Sequence, residues 1–268
     1  MSLERSSMDR IGIIGYGKMG KLFAREFSRR HEVGICSRHA NGSEFEFFGS
    51  MEELFKWANV LIVARSLEET PQVLEKLAEL SEKIEGKVIF DISTFKRHVM
   101  EIYRRFPEGV KVCSVHPMFG AGAESFKGRR FIVIPVEGRE EDINSVINLF
   151  KDFRAEVFVA DAETHDEMMK VVIGIPYFIG ISFLSFLSEF EGVENFGGTS
   201  FKYLTTYAKA VLNDSPEFIK EVLEFSKDKI EEFLEFAKAD VNIKDLKKRH
   251  KEQIIESYRR FYKVLNED

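Results

Sequence analysis

Residues 11–20 read IGIIGYGKMG, a short block of branched apolar residues running straight into three glycines. A continuous apolar block of this length, ended by glycine, is the pattern of a parallel strand buried on both faces. Gly15, Gly17 and Gly20 are spaced G-x-G-x-x-G, and a helical stretch opens at Lys18. In that strand-to-helix context the first glycine permits a tight turn. The second lets backbone approach a pyrophosphate, and the third allows close helix–sheet packing. The helix N-terminus then offers N–H donors and a partial positive charge to the anion. Gly15, Tyr16, Gly17, Lys18, Met19 and Gly20 are therefore candidate contacts to a dinucleotide cofactor.

Downstream of this loop the chain alternates. Strand-like runs at 32–37, 59–64, 87–93, 111–117, 129–136 and 155–160 are separated by helical stretches. One of these opens with Thr70 as an expected N-cap and Pro71 in the first turn. This alternation predicts an α/β fold, a Rossmann-type doubly wound parallel sheet with helices on both faces. After Asp161 the strands stop, and helices are expected over 164–190, 202–212, 216–238 and 243–265. The expected organisation is a dinucleotide-binding Rossmann domain over 9–158 and an all-α helical domain over 159–268.

Composition narrows the class. Lys and Arg total 39 against 45 Asp and Glu, a net charge of −6, and 44% of residues are apolar. That excludes a mainly disordered chain and argues against a nucleic-acid partner held by phosphate neutralisation. Cys36 and Cys113 have neither disulfide-framework nor metal spacing, and read as small buried side chains in a reducing compartment. The polar opening MSLERSSMDR lacks the apolar core of a secretory signal. The uncharged run VVIGIPYFIGISFLSFLS at 171–188 is long enough to cross a membrane. Gly174, Pro176, Gly180 and three serines interrupt it, so it is read as a helix covered by protein, with a second subunit as the cover. The reading is a cytoplasmic protein, not a membrane one, whose phenylalanine-rich 178–190 forms a dimer core.

The end of the second strand selects the cofactor. NAD enzymes place an acidic residue there to accept from the ribose 2′-OH; here the chain reads Cys36-Ser37-Arg38-His39. Ser37 can donate a hydrogen bond and Arg38 a charge-assisted fork, so NADP is favoured over NAD. Arg65, just after the third strand, falls at the same crevice and is a further candidate for phosphate or ribose.

Two more strand ends carry chemistry. Asp91-Ile92-Ser93-Thr94-Phe95-Lys96 ends the fourth strand, and His116-Pro117-Met118-Phe119-Gly120 ends the fifth. Both point to the carboxyl edge of the sheet, where open α/β folds bind ligands. With these motifs in hand, the chain resembles the prephenate/arogenate dehydrogenases of tyrosine biosynthesis. The resemblance rests on the phosphate loop, on Asp91–Lys96 against D-x-x-[ST]-V-K, on H-P-M-F-G, and on Thr164-His165-Asp166. It extends from about residue 11 to 238.

That resemblance implies oxidative decarboxylation of prephenate to 4-hydroxyphenylpyruvate. It implies His116 as the base for the substrate hydroxyl, Thr94 holding the hydroxyl or nicotinamide region and His116, and Lys96 orienting this group or steadying charge. No metal is called for. It also implies a homodimer joined through the helical domain, with the site in a cleft between domains. Where many members have a second substrate-binding histidine this chain has Tyr177. Where many carry an arginine, an ungapped count reaches Ala210, leaving Lys209 and Lys202 as candidate cations for the substrate carboxylate. The choice between prephenate and arogenate stays open. So do two other readings: an NADP-dependent imine- or pyrroline-type reductase, and a non-catalytic NADP sensor. His165 and Asp166 read as a helix N-terminal cap arrangement, not a catalytic pair. His31, His39, His98 and His250 have no partner that the sequence identifies, and the basic run at 244–251 reads as a solvated face.

Overall fold

Strand β1 (Arg10–Ile14) lies in the middle of an eight-stranded sheet because its side chains are apolar on both faces: Ile11 and Ile13 enter one core, Ile14 the other. The computed structural model describes residues 10–38, 44–82 and 85–265, so His39 lies outside the described residues. Following β1 are α1 (Lys18–Phe27), β2 (Glu32–Cys36), β3 (Glu46–Phe47), α2 (Met51–Trp57), β4 (Val60–Val63) and α3 (Thr70–Ser81). Then come β5 (Val88–Asp91), α4 (Arg97–Tyr103), β6 (Lys111–Pro117), β7 (Arg130–Pro135), α5 (Ile143–Asp152) and β8 (Glu156–Val159). The spatial order is β3-β2-β1-β4-β5-β6-β7-β8.

Six of the seven pairings are parallel; β6 and β7 are antiparallel, with His116 opposite Ile132. The sheet is thus mixed where a wholly parallel one was expected. The link from Met118 to Arg129 contains no helix that could carry the chain back for a parallel return. Strand β3 was also not foreseen; two residues are too short for a periodic signal.

Helices cover both faces. Leu22, Phe23 and Phe27 of α1 pack with Val146, Leu149 and Phe150 of α5 on one side. Leu54 and Phe55 of α2, Leu74 and Leu77 of α3, and Ile102 and Tyr103 of α4 pack on the other. Much of the chain's phenylalanine is used in the first core. Phe131 stacks on Phe150 with centroids 4.1 Å apart, and Phe23 meets Phe126 edge-on at 4.9 Å. Each fully buried Phe contributes roughly 1.5–3 kcal/mol through removal from water. Thr70 is not the cap of α3. It is buried, and its hydroxyl donates to the Ser66 carbonyl at 2.8 Å, while Ser66 Oγ accepts from the Glu69 amide at 3.2 Å.

The remaining helices are α6 (Ala162–Met169), α7 (Ile175–Leu187), α8 (Thr199–Val211), α9 (Pro216–Phe225), α10 (Lys227–Lys238), α11 (Ile243–Arg249) and α12 (Lys251–Leu265). Three expected long helices are therefore interrupted. Lys170–Gly174 is a π turn just before Pro176, whose ring removes a donor and crowds the preceding turn. The other breaks fall at Ser226 and His250. The chain divides into compact units at Glu167/Met168, later than the expected 158/159, since residues of α6 are tied into the first unit.

In the second unit the apolar α7 is poorly covered. Ala162–Leu187 is long and apolar enough to cross a membrane, yet 11% of its most apolar window is buried. Within one chain, then, the uncharged run is left largely open, and the cover expected from a second subunit is not supplied by its own fold.

Candidate active site

Parallel pairing brings the carboxyl ends of β1, β2, β4, β5 and β6 to one edge of the sheet, so Gly15, Ser37, Arg65, Thr94 and His116 share that edge. Gly15 has φ +111°, and a Cβ there would stand 2.2 Å from the Ala64 carbonyl oxygen. A Cβ on Gly20 would stand 2.2 Å from the Gly15 carbonyl oxygen. Both glycines are required by backbone contact. Gly17 caps α1, and a Cβ there would meet nothing within 4 Å. The first turn of α1 has no acidic residue to compete for its N–H groups. A tight turn, an open middle glycine and an uncontested helix N-terminus fit a dinucleotide pyrophosphate. Tyr16 and Met19 pack partly onto the core, and the Lys21 ammonium lies over the Tyr16 ring at 5.4 Å. Lys18 is exposed.

At the tip of β2, Ser37 is buried and Arg38 exposed. The carboxylate that this tip lacks in sequence arrives from elsewhere. Glu69, just ahead of α3, accepts from Arg38 Nη2 at 2.9 Å and lies 3.8 Å from Arg65 Nη1. Sequence reading missed Glu69 because it lies 31 residues from Arg38.

The centre of the edge is a buried polar cluster. Asp91, fully buried at the end of β5, accepts from the Ser93 amide, Ser93 Oγ, Tyr103 Oη (2.8 Å) and Ser114 Oγ (2.6 Å). Burial pushes its carboxyl pKa up, but Lys96 and these hydrogen bonds outweigh that and hold it below the usual range. Lys96 is also fully buried. Its ammonium donates to the Val115 carbonyl at 2.8 Å and the Ser93 carbonyl at 2.5 Å, and lies 3.6 Å from Asp91. The charge Lys96 steadies is therefore Asp91, and it ties together the ends of β5 and β6.

His116 is 5% exposed. Thr94 is half-buried and its hydroxyl makes no hydrogen bond among the described residues. The group that holds His116 is instead His165, whose Nε2 lies 2.9 Å from His116 Nδ1. His165 Nδ1 in turn lies 2.8 Å from Asp166 Oδ1. Asp166 also accepts from the backbone amides of Lys96 (2.9 Å) and Arg97 (2.9 Å). His165 and Asp166 are thus not merely the opening of their own helix. Asp166 caps α4, 70 residues away in sequence, and the pair reaches His116.

Electrostatics set the proton positions. Burial raises the Asp166 pKa, but the His165 hydrogen bond and the two amides outweigh it, so the carboxyl is held ionised. Burial lowers both histidines, with Lys96 adding to the effect. An ionised carboxylate only accepts, so His165 donates from Nδ1 to Asp166 and accepts at Nε2. His116 must then donate from Nδ1, which leaves its Nε2 lone pair able to take a proton.

Tyr177, Lys202 and Lys209 belong to the second unit. Tyr177 Oη donates to Asp214 at 2.5 Å; burial first and then Asp214 push the phenol pKa up. Lys202 and Lys209 are both exposed on α8, two turns apart on one face. The basic run at 244–251 is exposed, as expected of a solvated face.

A glycine-rich turn that opens a helix at the carboxyl edge of a mostly parallel sheet is the mark of the dinucleotide-binding Rossmann class. The family model "Prephenate dehydrogenase, nucleotide-binding domain" matches residues 32–159. A Methanocaldococcus jannaschii protein, "Probable arogenate/prephenate dehydrogenase", is 31% identical over 193 residues, 67% of this chain and 42% of that protein. The Haemophilus influenzae T-protein is 26% identical over 65% of this chain and 44% of that protein. The chain belongs to the prephenate/arogenate dehydrogenase family. It spans less than half the length of these two curated relatives. The same fold occurs in the crystal structure of A. aeolicus prephenate dehydrogenase in complex with hydroxyphenyl propionate and NAD+. There the TM-score is 0.71 at 18% identity, over 99% of both chains. It occurs also in Synechocystis arogenate dehydrogenase, with a TM-score of 0.66 at 15% identity over 96% of both.

Proposed function

We propose that the chain is an NADP-dependent dehydrogenase that oxidatively decarboxylates prephenate to 4-hydroxyphenylpyruvate, with arogenate the alternative substrate. The observation that carries this reading is the Asp166–His165–His116 chain of hydrogen bonds, which leaves His116 Nε2 as a base on the same sheet edge as the glycine loop. Gly15, Gly17, Gly20 and the α1 N-terminus would hold the pyrophosphate, and Ser37, Arg38 and Arg65 the 2′-phosphorylated ribose. A nicotinamide held there would supply the acceptor for the hydride that leaves the ring carbon bearing the substrate hydroxyl. His116 Nε2 takes the hydroxyl proton, and its new positive charge is shared through His165 toward Asp166. The ring carboxylate leaves as CO₂, its electron pair makes the ring aromatic, and the proton returns to the phenolate oxygen. Tyr177, Lys202 and Lys209 are the proposed contacts to the substrate carboxylates.

Initial rates with prephenate or arogenate, each with NADP+ or NAD+, test this through reduced-nicotinamide absorbance. Turnover of one acid, faster with NADP+, is expected. Faster turnover with NAD+ would overturn the cofactor reading, and no turnover in any of the four would overturn the activity.

A homodimer completes the proposal. Val171, Val172 and Phe186 are 44%, 51% and 63% exposed along the uncharged run, and an apolar helix of this kind needs cover from protein. A second copy packed on α7 supplies it. Sedimentation equilibrium should give twice the chain mass; a monomer across micromolar concentrations would sink this reading.

A further inference from the structure

Glu69 lies where an anion would be expected to bind. Its carboxylate accepts from Arg38 Nη2 at 2.9 Å and from Ser66 Oγ at 3.3 Å, and stands 3.8 Å from Arg65 Nη1. Its backbone N–H donates to Ser66 Oγ, which fixes it just ahead of α3. Arg65 is anchored beside the phosphate loop: a methyl group placed on Gly15 would come 3.1 Å from Arg65 Cδ. Arg65 Nε is buried and has no hydrogen-bond partner among the described residues, so this guanidinium holds a donor that Glu69 does not use.

We infer that Glu69 is a specificity-determining residue of the cofactor site, an internal carboxylate that occupies Arg38 and Arg65 and is displaced by the ribose 2′-phosphate. The inference rests on the reading of this edge as a nicotinamide-dinucleotide site. A carboxylate and a phosphomonoester compete for the same guanidinium geometry. The phosphomonoester brings about −1.5 to −2 charges and three acceptor oxygens against one charge and two oxygens. The exchange is easy because the Arg38 and Glu69 side chains are 72% and 41% exposed, and an ion pair open to water holds its partners weakly. Glu69 therefore weakens 2′-phosphate binding without forbidding it, and it does nothing to an unphosphorylated ribose. The strength of NADP preference is set by a residue 31 positions from the β2 tip where that preference is normally read.

Calorimetric titration with 2′,5′-ADP and with 5′-ADP tests this without turnover. In Glu69→Gln the 2′,5′-ADP dissociation constant should fall about three- to tenfold, from lost competition and lost repulsion, with 5′-ADP unchanged. The gain should vanish when Arg38→Ala is added. Equal changes for both nucleotides, or no change in their ratio, would overturn the inference while the dinucleotide reading stands. A loss of 5′-ADP affinity would also overturn it, since Glu69 would then be serving the ribose hydroxyl. Failure of wild type and variant to bind either nucleotide would overturn the dinucleotide reading, and the inference with it.

Discussion

Replacing His116 by alanine should lower kcat for the dehydrogenation by about two to four orders of magnitude, the usual contribution of a positioned base. Binding of 2′,5′-ADP should stay within about twofold of wild type, because the imidazole lies at the end of β6 and not in the glycine loop. The wild-type pH profile makes the companion case. Burial first, then the Lys96 ammonium and the neighbouring His165, hold His116 well below the ordinary imidazole range. The base works only when neutral, so kcat/KM should be flat through neutrality and fall only as pH drops below about 6.5, the unperturbed value. An acid limb centred above 6.5, or an alanine variant with near-wild-type kcat, would remove His116 from the role of base.

Lys96→Met should have the largest effect on stability, a loss of about 3–5 kcal/mol measured by urea unfolding followed through the single tryptophan, Trp57. The side chain is fully buried, and its removal strands three groups at once. Asp91 loses its cation, and the carbonyls of Ser93 and Val115 lose a donor. Methionine fills most of the volume, so the cost is electrostatic and not a cavity. In whatever fraction remains folded, the acid limb should move to higher pH, because Lys96 is one of the charges that depress His116. A stability change under 1 kcal/mol would mean that the hydrogen bonds from Ser93, Tyr103 and Ser114 hold Asp91 without help.

The two variants separate what each residue does. In the proposed mechanism His116 carries the chemistry, whereas Lys96 holds the edge together through Asp91 and the Ser93 and Val115 carbonyls and reaches the chemistry only through charge. Both were legible as unusual residues at strand ends. The sequence could not rank them, because exposure and hydrogen-bond partners decide which side chain meets a substrate and which is sealed behind the sheet.

Residue order alone reveals what local physics controls. A short apolar block that ends in glycine and leads into a helical stretch reads as a buried strand, and the G-x-G-x-x-G spacing marks the turn that follows it. Alternating apolar blocks and amphipathic stretches yield the layered sheet, and with it the edge to which β-strand ends bring Gly15, Thr94 and His116. Which distant residues meet there follows only from how the chain packs in three dimensions. His165 reaches His116 across 49 residues, Asp166 reaches the start of α4 across 70, and Glu69 reaches Arg38 across 31. The T-H-D string was visible, but read locally it is only a helix opening. Its partner is set by where α4 and β6 end in space, and side-chain periodicity carries no information about that. The antiparallel turn of β7 follows the same logic, since it depends on how the chain returns to the sheet rather than on the apolar pattern of the strand itself.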